Sequence, residues 1–229
     1  MNFFNEWKQC IDNGQDDSYY INSFLFRSIS STFALENSSI KEIKNIIYFL
    51  ISINRERIIQ FIDDKFIKIV NSADVVQFSN FKKATSELTH LLKYEKNGLT
   101  FEDIGYMLVG SENKLSREKY GENHAKTAKD FNLVKFNNQR PIIVKNTSLG
   151  NFFPFLNADD QQKLLCILSL RNSLIQIFIS KSKKGKIYYN DVVSCLSEST
   201  RKRRHNNVKY ILDLAIKDID KDYLSNIIF

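Results

Sequence analysis

The residues whose types and spacing best suit a binding function form one cationic run near the end of the chain. The run Ser-Thr-Arg-Lys-Arg-Arg-His at 199–205 places four cations at the predicted start of a helix. The N-terminal end of a helix already carries partial positive charge from unpaired N–H groups, so basic side chains are unfavourable there for the helix itself. An anionic partner removes this conflict, and nucleic acid is the first candidate.

The apolar residues that follow this run predict a helix over 200–216 that is buried along one side. They recur at the i, i+3, i+4, i+7 and i+8 spacing of a one-sided helix. They are Val208, Ile211, Leu212, Ala215 and Ile216. Such a helix is anchored by its apolar stripe and presents its first turn to a partner.

Charge is distributed unevenly along the chain. Residues 1–97 contain 12 basic and 12 acidic residues, which cancel, so the remaining 21 basic and 14 acidic residues carry the whole formal charge of +7. Within 181–209, nine cations against two carboxylates give +7 over 29 positions. A polyanion would be attracted to this part of the chain, and the attraction should weaken steeply as salt is added.

Size and composition indicate a compact protein. At 229 residues and 43% hydrophobic content, the chain can form two ordinary domains or one larger domain with a substantial core. It contains two Pro and seven Gly, and no tract resembles a flexible linker. The first residues lack the apolar core of a signal peptide, and the apolar runs are too short to span a bilayer, so we expect a cytoplasmic protein.

The cysteines and histidines do not indicate a metal site. Cys10, Cys166 and Cys195 match no CxxC or Cys/His spacing, so we expect buried free thiols. His90 lies among leucines, while His124 and His205 have no ligand neighbour at metal spacing. No cofactor is predicted, because no Walker A loop or common hydrolase motif occurs.

The first 97 residues predict a helical bundle. Apolar residues recur at helical spacing over 39–53, 55–70 and 79–94. Ser38 or Ser39 can cap the first of these helices.

A different order of elements begins at Asn97-Gly98. Thr100 and the acidic pair that follows it predict a capped helix, which Gly110 can end. A second helix is predicted over 116–131, followed by a strand, a tight turn and a strand over 133–145. Helix, turn, helix and β-hairpin is the order of a winged helix-turn-helix.

The same order of elements recurs in the last part of the chain. Two supporting helices, an edge strand and the first helix of a second helix-turn-helix are predicted over 159–169, 172–180, 185–188 and 189–195. The helix over 200–216 then takes the recognition position, and residues 218–229 predict a final wing.

These patterns resemble a known family, the tandem winged-helix target-recognition region of type IIS restriction endonucleases. The resemblance covers roughly residues 98–229. It rests on the strings AKTAKDFNLV at 125–134, VKNTSLG at 144–150 and RRHNNVKYILDL at 203–214. It implies binding of duplex DNA with sequence preference, with the second helix of each unit in the major groove.

The residues that this interpretation assigns to DNA binding are cationic or polar. In the first unit they are Arg117, Lys119, Asn123, Lys126 and Lys129 on the helix, and Lys135, Asn138 and Arg140 on the wing. In the second unit they are Lys183, Lys184, Lys186, Thr200, Arg201, Lys202, Arg203, Arg204, His205, Asn206 and Lys209. Arginine can pair with guanine and asparagine with adenine, whereas the lysines are expected to contact phosphates.

Members of that family also carry a nuclease domain, normally with two carboxylates and a lysine around a metal ion. Glu42-Ile43-Lys44 has the ExK part of this pattern, with Asp16 or Asp17 upstream. The triplet lies in a segment with helical periodicity, whereas the motif needs a strand to direct both side chains to one Mg²⁺. We therefore predict no catalytic residue and interpret the triplet as an exposed pair on a helix.

The sequence thus predicts a mainly α protein with small β-hairpins, that is, an α+β fold. Its predicted domains are a helical bundle over 1–97 and two winged helix-turn-helix units over 98–157 and 158–229. The predicted function is duplex DNA binding, as the recognition part of a restriction–modification or anti-phage system. We expect the helical domain to dock a nuclease, another protein or a second copy of the chain.

Three other functions are compatible with the sequence. An Mg-dependent restriction endonuclease with an unrecognised active site in the first 97 residues would cut DNA by itself. A transcription or plasmid-replication regulator would bind a specific site without a nuclease partner. A protein-interaction scaffold would have no affinity for DNA, since winged helices also pair with proteins.

Overall fold

The computed structural model describes residues 3–26, 35, 38–63, 75–110 and 113–229. These residues are mainly helical and include a three-stranded and a two-stranded sheet. The predicted fold class, mainly α with small β elements, is therefore confirmed at this level.

The elements are numbered in chain order. The α-helices are α1 (Phe3–Asp12), α2 (Ser18–Phe26), α3 (Ile40–Ser52), α4 (Arg55–Phe61), α5 (Leu88–Tyr94), α6 (Phe101–Val109), α7 (Lys114–Asp130), α8 (Ser148–Phe152), α9 (Ala158–Ser169), α10 (Ser173–Ser182), α11 (Tyr189–Val192) and α12 (Glu198–Ala215). The strands are β1 (Leu99–Thr100), β2 (Val134–Phe136), β3 (Ile143–Asn146), β4 (Ile187–Tyr188) and β5 (Ile227–Ile228). A π-helix over Lys83–Glu87 leads into α5, and 3₁₀ turns cover Phe153–Phe155 and Asp222–Asn226.

The chain forms two compact units. The terminal unit contains residues 3–26, 45–63, 75 and 163–229, and the central unit contains residues 35, 38–44, 76–110 and 113–162. The predicted boundaries at 97/98 and 157/158 both fall inside the central unit. Gly98 closes a tight turn on Glu95 inside the central unit, so the change in composition at this point marks a turn within one unit.

A buried aromatic cluster organises the first helices of the terminal unit. Trp7 is fully buried and contacts the rings of Phe24 and Phe49. Its indole N–H donates to the Asp17 carboxylate at 2.9 Å, and Arg57 forms an ion pair with the same carboxylate. Both donors offset the cost of burying the Asp17 charge.

The core of the terminal unit includes α10, whose residues from Leu174 to Ser180 are all buried. α12 contributes the predicted stripe: Val208, Ile211, Leu212 and Ala215 are buried, and Ile216 is partly exposed. The spacing argument for this helix is therefore confirmed for its buried side.

The central unit has the predicted order of helix, turn, helix and hairpin. Thr100 and Asp103 form a capping box at the start of α6, and Gly110 ends the helix with a left-handed φ of 71°. β2 and β3 pair antiparallel, with Lys135 opposite Lys145. β1, which the sequence did not predict, pairs antiparallel with the other edge of β3 and gives the sheet order β1-β3-β2.

Two glycines allow α6 and α7 to approach each other closely. A Cβ atom on Gly105 would lie 2.0 Å from the carbonyl oxygen of Arg117, and one on Gly121 would lie 1.9 Å from that of Phe101. Both distances are far below van der Waals contact, so any side chain at either position would force the helices apart.

Several predicted elements differ from those observed. The helix predicted over 55–70 ends at Phe61, where Ile62 takes an extended conformation, and the positions of Phe66 and Ile69 lie outside the described residues. The helix predicted over 189–195 is confined to α11. Cys10 and Cys166 are buried as expected, whereas Cys195 is exposed.

The final wing predicted over 218–229 is not formed. Instead, β5 pairs parallel with β4, with Ile187 opposite Ile227. A hairpin requires two strands that follow each other in the chain, whereas parallel strands require a crossover, which α11 and α12 supply here. Phe229, next to β5, stacks on Phe178 and Tyr189, so this end of the described chain packs against the unit.

The close approach of α6 and α7 generates a test. Gly121→Ala should destabilise the central unit by about 2 kcal/mol or more, because the added methyl group meets backbone atoms. Helix propensity alone favours alanine over glycine by roughly 0.5–1 kcal/mol, so the expected sign is opposite to the intrinsic one. Urea denaturation measures the change. Ser116→Ala, on the exposed surface of the same helix, is the control and should leave stability nearly unchanged.

Candidate nucleic-acid interface

The predicted contact residues on α7 are largely engaged within the central unit. Arg117 donates to Glu102 at 2.9 Å, and its guanidinium lies 5.4 Å from the ring centre of Tyr106. Lys119 and Lys126 both pair with Glu122. Burial alone would raise the pKa of Glu122, but hydrogen bonds from these two lysines outweigh it and lower the pKa. The exposed face of α7 is therefore less positive than its lysine content suggests.

The remaining predicted residues of α7 are polar neighbours of this network. Asn123 is half-buried, and its backbone carbonyl accepts a hydrogen bond from the Thr127 hydroxyl at 3.0 Å. Lys129 is exposed, and its ammonium lies 4.6 Å from the ring centre of Phe136 at the base of the wing. Such a cation–π contact leaves the ammonium able to meet an anion.

The wing between β2 and β3 carries exposed cations of the central unit. Lys135 and Lys145 are register partners on the same outer face, and both are exposed. Asn138 and Arg140 are exposed at the tip. Arg140 and Lys145 have no ion-pair partner among the described residues. Like charges directly opposite each other on a sheet repel.

Sequence reasoning missed Lys145 as a candidate, although a signal for it was present. Residues 131–158 contain Lys135, Arg140 and Lys145 but no Asp or Glu. The net charge of each half of the chain does not indicate this segment, whereas the net charge of each predicted element does.

The cationic run on α12 begins later in the helix than predicted. The helix starts at Glu198 with Ser197 as its cap, so Arg201 is the fourth helical residue and its N–H already donates to the Ser197 carbonyl. The first turn carries the acidic Glu198, which suits the positive end of the helix. The expected conflict between the helix dipole and four cations in the first turn is therefore absent.

The side chains of this run have different surroundings. Lys202 pairs with Glu198 at 2.7 Å, and Arg204 donates to the Val75 carbonyl at 2.8 Å. Burial lowers the pKa of Arg204, and the adjacent Arg203 lowers it further. Arg203 itself is exposed and has no ion-pair partner among the residues described. The predicted cluster of four cations thus leaves Arg203 as its uncompensated exposed member.

Several residues in and around this run make contacts within the terminal unit. The backbone carbonyl of Arg201 accepts from the Tyr189 hydroxyl, and the ring of His205 contacts Tyr189 at 5.0 Å. Thr200 accepts from the Ser197 hydroxyl, Asn206 is exposed next to His205, and Lys209 pairs with Asp213 at 3.3 Å.

Lys183, predicted to bind DNA, is engaged within the terminal unit. Its ammonium donates to the carbonyls of Ile59, Gln60 and Ile62 at 3.0, 2.9 and 2.6 Å. These carbonyls lie at the end of α4, so Lys183 caps that helix. Burial of the ammonium lowers its pKa. Lys184 and Lys186 are exposed on the turn that leads to β4.

The ExK triplet has a structural role. Glu42 lies in the first turn of α3, and its carboxylate accepts from the Ser39 N–H at 2.6 Å and from the Ser39 hydroxyl. These hydrogen bonds lower the pKa of Glu42, as expected for a capping box. The described residues contain no cluster of three potential metal ligands. The interpretation as a helical pair is confirmed.

Two surface grooves contain titratable residues. One, of about 420 Å³, is lined by Ser86, Glu87, His90 and apolar side chains of the central unit. Ser86 donates to Gln161 at 2.7 Å. The other, of about 480 Å³, lies beside Cys10 and Asp16 in the terminal unit. Asp16 accepts from Ser18, which lowers its pKa. We assign no catalytic arrangement to either groove.

His124, on the inner side of α7, is the buried histidine of the described chain. Its ring stacks on Tyr120 with centres 4.0 Å apart, and its Nδ1–H donates to the Tyr120 carbonyl at 2.9 Å. Burial lowers the pKa of His124, and the nearby Lys83 cation adds to this effect, against the opposing influence of the backbone hydrogen bond. Burial inside the unit therefore favours the neutral form of the ring.

No known protein family, curated protein or solved structure matches the chain. The resemblance to type IIS recognition regions stays a prediction. In the part of the chain that the structure describes, no single helix is long and apolar enough to cross a bilayer, and α9 and α10 reach that length only together, across a bend of 73°.

The role of Lys183 can be separated from nucleic-acid binding. Lys183→Met removes three hydrogen bonds to the end of α4 and should lower the free energy of unfolding by about 1–2 kcal/mol. Lys186→Met removes the same charge from an exposed position and should leave stability unchanged. Urea denaturation of both variants decides the matter, and equal stability would contradict the capping role.

The buried His124 predicts a pH effect on the central unit. Because its folded pKa lies below the ordinary value of about 6.5, the unfolded state takes up a proton first as the pH falls. Stability should therefore decline once the pH drops below that value. Hydrogen exchange of α7 amides at pH 7.5 and 5.5, corrected for intrinsic rates, reports the loss. His124→Phe should reduce it, whereas His90→Gln, at an exposed position, should not.

Proposed function

We propose that the chain binds duplex DNA and that residues 81–146 act as a winged helix. The observation that carries this proposal is the element order of the central unit together with its sheet order β1-β3-β2. A winged helix has this plan: a helix, a short strand, two helices and a hairpin whose last strand pairs with the first strand. The π-helix with α5, then β1, α6, α7, β2 and β3 supply these parts in sequence.

The connection between α6 and α7 supports the same proposal. Four residues, 110–113, separate the two helices, and the first of them is Gly110. A helix-turn-helix typically uses a turn of three to four residues that contains glycine, and its second helix enters the major groove. In this proposal α7 takes the recognition position, with Asn123 and Lys126 among the residues that approach the DNA.

Electrostatics favour nucleic acid over an uncharged partner. The chain carries a formal charge of +7, and Arg140, Lys145 and Arg203 are exposed cations without an ion-pair partner among the described residues. Such groups release counterions when they meet phosphates, which is the main source of affinity for DNA.

The biological setting is proposed from the resemblance. In it, the chain is the recognition part of a restriction–modification or other anti-phage system, and a nuclease or other protein docks through the first 97 residues. The capping role of Glu42 removes the sequence argument for a metal site at the ExK triplet. A separate nuclease chain is therefore the proposed source of cleavage.

The proposal predicts salt-dependent DNA binding that depends on uncompensated cations. The triple variant Arg140→Gln, Lys145→Gln and Arg203→Gln should weaken binding to a 30-base-pair duplex at least about tenfold and reduce the slope of log K against log salt by roughly 3. Fluorescence anisotropy over a salt series measures both quantities.

The matched control removes three lysines that have internal partners. Lys119→Gln, Lys202→Gln and Lys209→Gln have the same total charge change, but each lysine is already paired with a carboxylate of its own helix. This variant should lose less affinity than the first. An absence of DNA binding by the natural chain would refute the proposal and favour the interaction scaffold.

A further inference from the structure

The tip of the wing is held in one shape by a single side chain. The Asn137 amide oxygen accepts from the N–H of Ile143 at 2.8 Å, and its amide nitrogen donates to the carbonyl of Pro141 at 3.4 Å. The backbone N–H of Asn137 also donates to the Ile143 carbonyl. These bonds close the tip at its base, so the residues beyond it are presented together.

Those residues are Asn138, Gln139 and Arg140, and all three are exposed. Arg140 has no ion-pair partner among the described residues, and the nearest acidic positions in the sequence are Asp130 and Asp159. The tip thus carries one guanidinium next to two polar amides, and no carboxylate lies close to it in sequence.

This combination of side chains suits the minor groove of DNA. The minor groove is about 6 Å wide, so a helix about 10 Å across cannot enter it, whereas an arginine on a hairpin tip can. Arginine, asparagine and glutamine are the residue types that read this groove. A·T-rich tracts narrow the groove and strengthen its negative potential, which attracts inserted arginines.

The helix α7 offers no equivalent group. Its arginine, Arg117, is 19% exposed and is bound to Glu102, so the guanidinium is not available for a bidentate contact with guanine. Arg140 is the free guanidinium on the hairpin and helix pair that would face the DNA. We therefore expect any preference for A·T-rich over G·C-rich DNA to come from the wing and not from α7.

We infer that the wing tip selects A·T-rich duplex DNA by placing Arg140 in the minor groove, with Lys145 on a flanking phosphate. This inference rests on the proposed function and names its ligand class. It assigns Asn138 and Gln139 to the edges of the bases next to Arg140.

The test compares two DNA duplexes of equal length by fluorescence anisotropy, one with an A·T-rich centre and one with a G·C-rich centre. The natural chain should bind the A·T-rich duplex about tenfold more tightly. Arg140→Gln should remove this preference by weakening the A·T-rich complex, and Arg140→Lys should restore only part of it. Lys126→Gln, which removes the same charge from α7, should weaken both complexes equally and keep the preference.

Two further measurements distinguish the sources of failure. Netropsin, which fills the A·T minor groove, should displace the natural chain, and an A·U-rich RNA duplex should bind less well because its minor groove is wide and shallow. Binding of both DNA duplexes with equal affinity would overturn this inference while leaving DNA binding intact. Binding of neither duplex would overturn the proposed function as well. Loss of preference in Lys126→Gln but not in Arg140→Gln would assign it to α7 instead.

Discussion

The close approach of α6 and α7 is the constraint on which the central unit depends. It requires hydrogen in place of a side chain at Gly105 and Gly121, since a Cβ at either position would overlap a carbonyl of the facing helix. With the helices this close, Arg117 of α7 reaches Glu102 of α6 and the two surfaces share their charges. The same packing that fixes the position of α7 therefore neutralises part of its exposed face.

This coupling changes what the positive charge of the chain means. Formal charge counts every lysine and arginine equally, but in the folded protein many of them bind backbone carbonyls or carboxylates of the same chain. Lys183 caps a helix, Arg204 binds a backbone carbonyl, and Lys119 and Lys126 share Glu122. The remainder, that is, the cations without a partner inside the protein, is what a polyanion can bind. It lies on short connecting segments and at single positions on helices. Arg140 and Lys145 of the wing belong to this remainder, and their segment of the sequence contains no acid.

Local patterns in the sequence predicted local structure well. The capping box at Thr100, the helix end at Gly110 and the buried stripe of α12 each depend on residues within one or two turns. The parallel pairing of β4 with β5 and the contact of Lys183 with α4 join residues far apart in the chain, and no spacing rule reports them. The start of α12 was misplaced by two residues, and that shift alone removed the argument about the helix dipole.

The candidate site was harder to predict than the fold because binding depends on which side chains lack partners. Periodicity identifies the side of a helix that faces the core, but it does not show whether a cation on the other side has a carboxylate within reach. On a helix such a carboxylate is often available three or four residues away, as Glu122 and Glu198 are. A hairpin tip has no equivalent neighbours, since its side chains diverge from a tight turn. An arginine in that position keeps its charge for a partner, which is why the wing, rather than the more basic helices, carries the more specific proposal.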